Sequence, residues 1–197
     1  IFSRLDYYTR IMPDEPLTIT AAAPMIRSGE LTPSELLEQC LRRVDVYEPH
    51  VKAWVYLDRE RARRDAQKLT DYVKAGNYRG PLHGIPIAHK DLYETAGIRT
   101  TGGSKIHGNY IPMADCTVAR KLRDAGTILL GKLNTHEYAY GVTTNNPHYG
   151  ATCNPWDFNR IPAGSSGGSG AAIAAGLATA TTGSDTGGSI RMPASVC

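Results

Sequence analysis

Pro162-Ala-Gly-Ser-Ser-Gly-Gly-Ser-Gly170, then the small-residue run from Ala171 to Thr182, then Gly183-Ser-Asp-Thr-Gly-Gly-Ser-Ile-Arg-Met-Pro193, form the stretch on which the reading of this chain turns. Two loops rich in serine and glycine flank a segment long enough to cross a domain once, so Ser165 and Ser189, 24 positions apart, can meet again in space. Composition alone would also fit the first loop to a flexible Gly/Ser linker. The residues after it argue otherwise. Ala171, Ala172, Ile173, Ala174, Ala175 and Leu177 form a helix-favouring run, which makes the loop the entry to a helix whose first N–H groups are expected to be unpaired. In the second loop, Thr186-Gly187-Gly188-Ser189 sets consecutive N–H groups in a turn whose glycines permit positive φ and close backbone approach. Such a nest can hold an oxyanion; a plain turn between a strand and a short helix is the alternative this loop alone leaves open.

Together the loops resemble the amidase signature family, serine amidases whose motif runs as a Gly-Ser-Ser-Gly-Gly loop, an Ala/Gly-rich helix and an Asp-x-Gly-Gly-Ser-Ile-Arg-x-Pro loop. A third matching piece lies upstream, Gly84-Ile-Pro-Ile-Ala-His-Lys-Asp91, where the family carries its lysine after a short apolar strand. The resemblance extends from about Leu31 to Cys197, with three motifs in the family's order. It implies a Ser-Ser-Lys triad: Ser189 as nucleophile, Lys90 as base, and between them Ser165 as proton relay, held by an unusual cis peptide bond. It implies no metal and no organic cofactor. Two features depart from the family pattern. Ala163 stands where the family usually has the first glycine of its serine loop, and family members continue for well over another such length past the point corresponding to Cys197. Further strands and most of the acyl pocket are therefore expected from residues beyond Cys197 or from a second chain.

With 197 residues and 41% hydrophobic content, the chain can bury one core or two small ones. A net charge of +3 with no basic stripe gives no reason to expect direct nucleic-acid binding. No apolar run approaches the ~20 residues that cross a bilayer, so a cytoplasmic protein without membrane contact is the expectation. Cys40, Cys116, Cys153 and Cys197 are widely spaced, which points to reduced thiols rather than a zinc site or a stapled scaffold.

Along the chain, residues 1–30 read as a lead-in, weakly periodic over Ile1 to Ala23 with one short helix, and 31–197 as the catalytic core of a single domain. Thr32-Pro33-Ser34-Glu35 predicts a capping box with proline at the first helical position; Leu36, Leu37, Cys40, Leu41 and Val44 then recur at helical spacing up to Glu48-Pro49. Val51 to Leu57 is β-prone, and Asp58 is expected to cap a helix with Ala62, Ala66, Leu69 and Val73 on its apolar face, closed by Gly76. The arginines 59, 61, 63 and 64 of that helix, mixed with acids, read as a solvated face. Leu82 to Ala88 is predicted as a buried strand that delivers Lys90 to its C-terminal end, where open α/β sheets place functional groups. Asp115 is predicted to cap a helix through Val118 and Leu122, Thr127 to Leu130 to form a second buried strand, and Asn134 to Tyr140 a short helix. Alternating strands and helices make an α/β fold, and with the resemblance a mostly parallel mixed sheet covered by helices on both faces.

Other motifs compete and fail. Gly126-Thr-Ile-Leu-Leu-Gly-Lys-Leu133 nearly spells a phosphate-binding loop, but Leu133 has no hydroxyl for magnesium and the intervening residues are strand-like. Gly164-Ser-Ser-Gly-Gly168 also satisfies the Gly-x-Ser-x-Gly hydrolase elbow at Ser166, yet that elbow needs a histidine later in the chain, and His148 is the last. His136-Glu137-x-x-Tyr140 lacks the second histidine of a zinc-protease helix, and His89 reads as structural. Ser166 and Ser169 are assigned as caps of the Ala-rich helix; Asp185 and Arg191 are expected to brace the nucleophile loop.

A serine hydroxyl attached to its own N–H nest can attack a carbonyl and leave the oxyanion in donor range, with Thr186, Gly187, Gly188 and Ser189 as donors. Lys90 can act as base only when neutral, which burial favours. The expected activity is hydrolysis of a small-molecule carboxamide. The alternatives are the glutamine-hydrolysing component of a tRNA-dependent amidotransferase, with partner subunits, and an inactive fragment or binding module; a homodimer is a further possible assembly.

Overall fold

The computed structural model describes residues 15–197. Most of the lead-in expected over Ile1 to Ala23 lies outside the described residues. Helix α1, Ile19–Ser28, overlaps only the end of that stretch; it is capped by Thr18 and closed by Gly29 in the left-handed conformation. Helix α2, Pro33–Val51, begins with the predicted box, in which the Thr32 side chain accepts from the Glu35 N–H and the Glu35 carboxylate accepts from the Thr32 N–H at 2.8 Å. It runs past Pro49, because a proline near a helix end blocks little beyond one hydrogen bond. Strand β1, Trp54–Leu57, follows directly, since Val51 is spent on the helix. In α3, Arg59–Lys74, the Asp58 carboxylate accepts from the Arg61 N–H at 3.0 Å, and the charged face is tied by ion pairs to Asp45, Glu38, Glu60 and Asp65.

Strand β2 is Pro86–Lys90, α4 is Thr117–Asp124 and β3 is Ile128–Leu133. The predicted cap of α4 is corrected: Cys116 occupies that position without a side-chain bond, and the Asp115 carboxylate accepts instead from the Ala96 N–H at 2.7 Å and pairs with Arg123. Beyond β3 come a 3-10 turn, Glu137–Ala139, in place of the helix expected at Asn134 to Tyr140, and a small hairpin of β4, Asn145–Asn146, with β5, Gly150–Ala151. The chain closes with α5, Gly167–Ala174, β6, Ala180–Thr181, and α6, Arg191–Val196.

The main sheet has the order β1-β3-β2-β6, antiparallel at β1/β3 and parallel at the other two pairings. Successive side chains leave a strand on opposite faces, and β2 and β3 use both. Ala88, Ile128 and Leu130 join a core with α2, α3 and α5, while Ile87 and Leu129 join a second core with α1 and Leu122 of α4. Helices therefore flank both faces. Gly131 and Lys132, the end of the near-miss phosphate motif, lie inside β3. Glycine is required at 131 because a Cβ there would stand 2.1 Å from the Tyr56 carbonyl oxygen across the β1/β3 pairing.

Candidate active site

Lys90 is the last residue of β2, and its register partner Leu133 faces the first core. The strand is continuously buried, so it carries the lysine amine into the interior, where Lys90 is fully shielded from solvent. There the Nζ group donates to Ser165 Oγ at 2.6 Å, Ser166 Oγ at 2.9 Å and Ser184 Oγ at 2.9 Å. Three donors meeting three hydroxyls satisfy an ammonium without a carboxylate in contact. Burial pulls the lysine pKa down to about 8, opposed by the more distant Asp185 carboxylate.

The three hydroxyls are not equivalent. Ser166 Oγ donates to the Ser184 carbonyl at 3.2 Å and accepts from the Ser184 N–H at 3.3 Å, so its proton is committed. Ser165 Oγ contacts Lys90 alone among the described residues, so its proton is free to move. The Gly164–Ser165 peptide is cis, and the Ser165 carbonyl accepts from the His136 N–H and the Thr135 and Thr144 hydroxyls. Ala163, the departure from the family's glycine, has φ 58°, within the left-handed region that glycine adopts freely.

The first loop does not feed a helix with idle N–H groups, as its composition suggested. The helix starts at Gly167, four residues before the alanine run. The Gly167 N–H donates to Thr144 Oγ1 at 3.0 Å and the Gly168 N–H to the Asn134 carbonyl at 3.2 Å. Both glycines are demanded by contact: a Cβ on Gly168 would lie 2.5 Å from that carbonyl oxygen. The cap assignments for Ser166 and Ser169 are also corrected. Ser166 precedes the helix but makes no capping bond, and Ser169 lies within it, donating to the Thr182 carbonyl at 2.8 Å.

Ser189, with 9% of its surface exposed, is the most accessible of the three proposed catalytic residues. The Ser166 N–H donates to its carbonyl at 3.1 Å, which joins the two loops directly. Asp185 braces the second loop as expected. Its carboxylate accepts from the Gly188, Ile190 and Arg191 N–H groups and from the Arg191 guanidinium, a set of bonds that holds its pKa far below the usual carboxylate range. One expected oxyanion donor is thereby lost: the Gly188 N–H is given to Asp185. The N–H groups of Thr186, Gly187 and Ser189 have no acceptor among the described residues.

Lys90 and Ser165 lie together in space, and Ser184, which the motifs did not mark, and Ser166, expected as a cap, also contact the lysine. A hydroxyl immediately before Asp185 was the available signal for Ser184. His89 Nδ1 pairs with Thr182 Oγ1 at 3.2 Å, and burial, reinforced by Lys132, pulls its pKa down to about 4. No group of histidine, cysteine and acidic side chains suited to a metal occurs among the described residues, and no described helix is long and apolar enough to cross a membrane.

Known proteins resemble this chain in sequence and in fold. The family model named Amidase matches residues 35–197. A glutamyl-tRNA(Gln) amidotransferase subunit of Chloroflexus aggregans is 48% identical over 181 residues, covering 92% of this chain and 37% of that protein. Among solved structures, native peptide amidase from Stenotrophomonas maltophilia aligns with a TM-score of 0.83 at 34% identity over 90% of this chain and 38% of its own. Fatty acid amide hydrolase aligns at 0.92 and 28% identity over 98% of this chain and 35% of its own. The chain thus spans a little over a third of the length of the relatives it matches.

Proposed function

Because this chain belongs to the amidase family, we propose that it carries the catalytic centre of an amide hydrolase, with Ser189 as nucleophile, Ser165 as proton relay and Lys90 as base. The observation that carries this reading is a fully buried amine 2.6 Å from a hydroxyl whose proton has no other acceptor among the described residues. With Lys90 neutral, its lone pair takes the Ser165 proton as Ser165 takes that of Ser189. The freed Ser189 oxygen bonds to the carboxamide carbon, and the carbonyl electrons move onto oxygen, where the Thr186, Gly187 and Ser189 N–H groups are the available donors. Collapse re-forms the carbonyl and breaks the C–N bond. The leaving amine receives a proton from Ser165, which Lys90 restores. Water then attacks the ester, returning a proton to Ser189 and releasing the carboxylic acid.

A fluorophosphonate probe tests the assignment, because it traps an activated serine covalently. The adduct is expected on Ser189 in the intact protein; mapping to Ser165 or Ser166 would reassign the nucleophile. The 48% identity to a glutamyl-tRNA(Gln) amidotransferase component favours a second reading, in which the amide is glutamine and the protein works with partner subunits. Hydrolysis of simple carboxamides by the isolated protein supports the first reading, and glutamine turnover only with partner proteins supports the second.

A further inference from the structure

Resting on that reading of the catalytic centre, we propose that Lys132 is a positioning residue for it. From the other face of the sheet Lys132 fixes Tyr93, and Tyr93 holds the Gly183 carbonyl at the entrance to the nucleophile loop.

Lys132 is a second fully buried lysine in a strand otherwise made of aliphatic residues and glycine. Removing an ammonium from water costs several kcal/mol unless its donors are met, so a leucine would fill this position at less cost if packing were all that mattered. Its register partner is His89, which puts it on the face opposite to Lys90. There Nζ donates to the Tyr93 carbonyl in a short bond and to Thr100 Oγ1 at 2.8 Å, with Asp91 Oδ1 at 3.9 Å. Asp91 is buried too, and its other oxygen takes the Thr101 N–H and hydroxyl. Oδ1 has no hydrogen bond; burial raises the Asp91 pKa, opposed by the Thr101 hydrogen bonds and by the nearby charges of Lys132 and Arg99.

These bonds fasten the turn that follows Lys90. The Tyr93 N–H returns to the Lys90 carbonyl at 3.1 Å, while the Tyr93 hydroxyl reaches across the sheet end and donates to the Gly183 carbonyl at 2.7 Å. The next residue is Ser184, which accepts from Lys90 and engages Ser166 through both its N–H and its carbonyl. The path Lys132, Tyr93, Gly183, Ser184, Lys90 thus closes a loop of contacts around the end of β2. Lys132 touches none of the reacting groups; it acts through the single hydroxyl of Tyr93.

The experiment measures the rate of fluorophosphonate labelling of Ser189 against pH in the intact protein and in Tyr93→Phe, Lys132→Met and the double variant. Titratable neighbours of Lys132 are Asp91, Glu94, Asp115, Cys116 and His89, and the charged neighbour of Lys90 is Asp185. Each single variant is expected to slow labelling about tenfold at neutral pH and to move the midpoint of the profile alkaline, as water reaches a loosened Lys90. The double variant is expected to be no slower than the slower single variant, because the two residues act in series. A merely structural role would lower the melting temperature and leave the midpoint unchanged, which would overturn the proposal, as would rate losses that simply multiply. If Lys132→Met does not fold, Thr100→Val, which removes one of the two hydrogen bonds that orient the Lys132 amine, takes its place beside Tyr93→Phe and is expected to move the midpoint in the same direction. Failure of the unaltered protein to label at Ser189 would remove the catalytic reading and this inference with it; normal labelling with an unaffected Tyr93→Phe would remove this inference only.

Discussion

The Lys90 amine lies 2.6 Å from the Ser165 hydroxyl, and neither residue exposes any surface to solvent. A charged amine gains nothing from burial, whereas a neutral one loses little. The sheet therefore biases Lys90 towards the form that can accept a proton, and the Ser165 hydroxyl is the nearest of the three it contacts.

Lys90→Ala should lower Ser189 labelling and amide hydrolysis by about 100- to 10,000-fold, the usual worth of a general base. Ser189→Ala should abolish labelling, with both variants folded by circular dichroism. Ser166→Ala should keep much of the activity, since the Ser166 proton is committed to the Ser184 carbonyl. A dead Ser166→Ala beside an active Lys90→Ala would return the hydrolase-elbow assignment.

The rate should rise with pH. Below about 8, the value to which burial lowers the Lys90 pKa, each pH unit increases the neutral fraction and hence the rate about tenfold. Above it the rate levels off. A labelling rate that falls from pH 6 to 9 in folded protein would rule out a lysine base.

Asp185→Ala should slow labelling more than Arg191→Ala, because Asp185 also holds three backbone N–H groups of the loop. A nucleophile displaced by about 1 Å can lose about 100-fold in rate. The same change should shift the pH midpoint downward, since it removes the carboxylate that favours the ammonium form of Lys90. Equal rates for the two variants would show that only the ion pair matters.

Two glycine exchanges should move stability in opposite directions, read as thermal melting shifts. Ala163→Gly relieves a φ of 58° and should stabilise by about 0.5–1 kcal/mol after the extra freedom of the unfolded chain is counted. Gly168→Ala drives a methyl to 2.5 Å from the Asn134 carbonyl oxygen and should destabilise by about 1–3 kcal/mol.

Local chemistry was legible wherever it is written in neighbouring residues. The Thr32/Glu35 box and the Asp58 cap appear in the fold as their side chains dictate, because each depends on contacts within a few positions; the strand expected over Leu82 to Ala88 instead begins at Pro86 and runs through Lys90, with residues 81–84 in a turn. Asp115 misled for the opposite reason: its partners Ala96 and Arg123 come from outside its own helix start.

By itself the sequence determined the α/β alternation, the family motifs and the candidate identities of Lys90, Ser165 and Ser189. Only the tertiary structure decided that Ser166 and Ser184 share the lysine, that the Gly188 N–H belongs to Asp185, and that Gly167 and Gly168 are helical. It also decided that Lys132 is buried behind the site. Each of these outcomes depends on which chain segment arrives opposite a given atom, and the packing of β2, β3 and the two serine loops, rather than any local propensity, sets those distances.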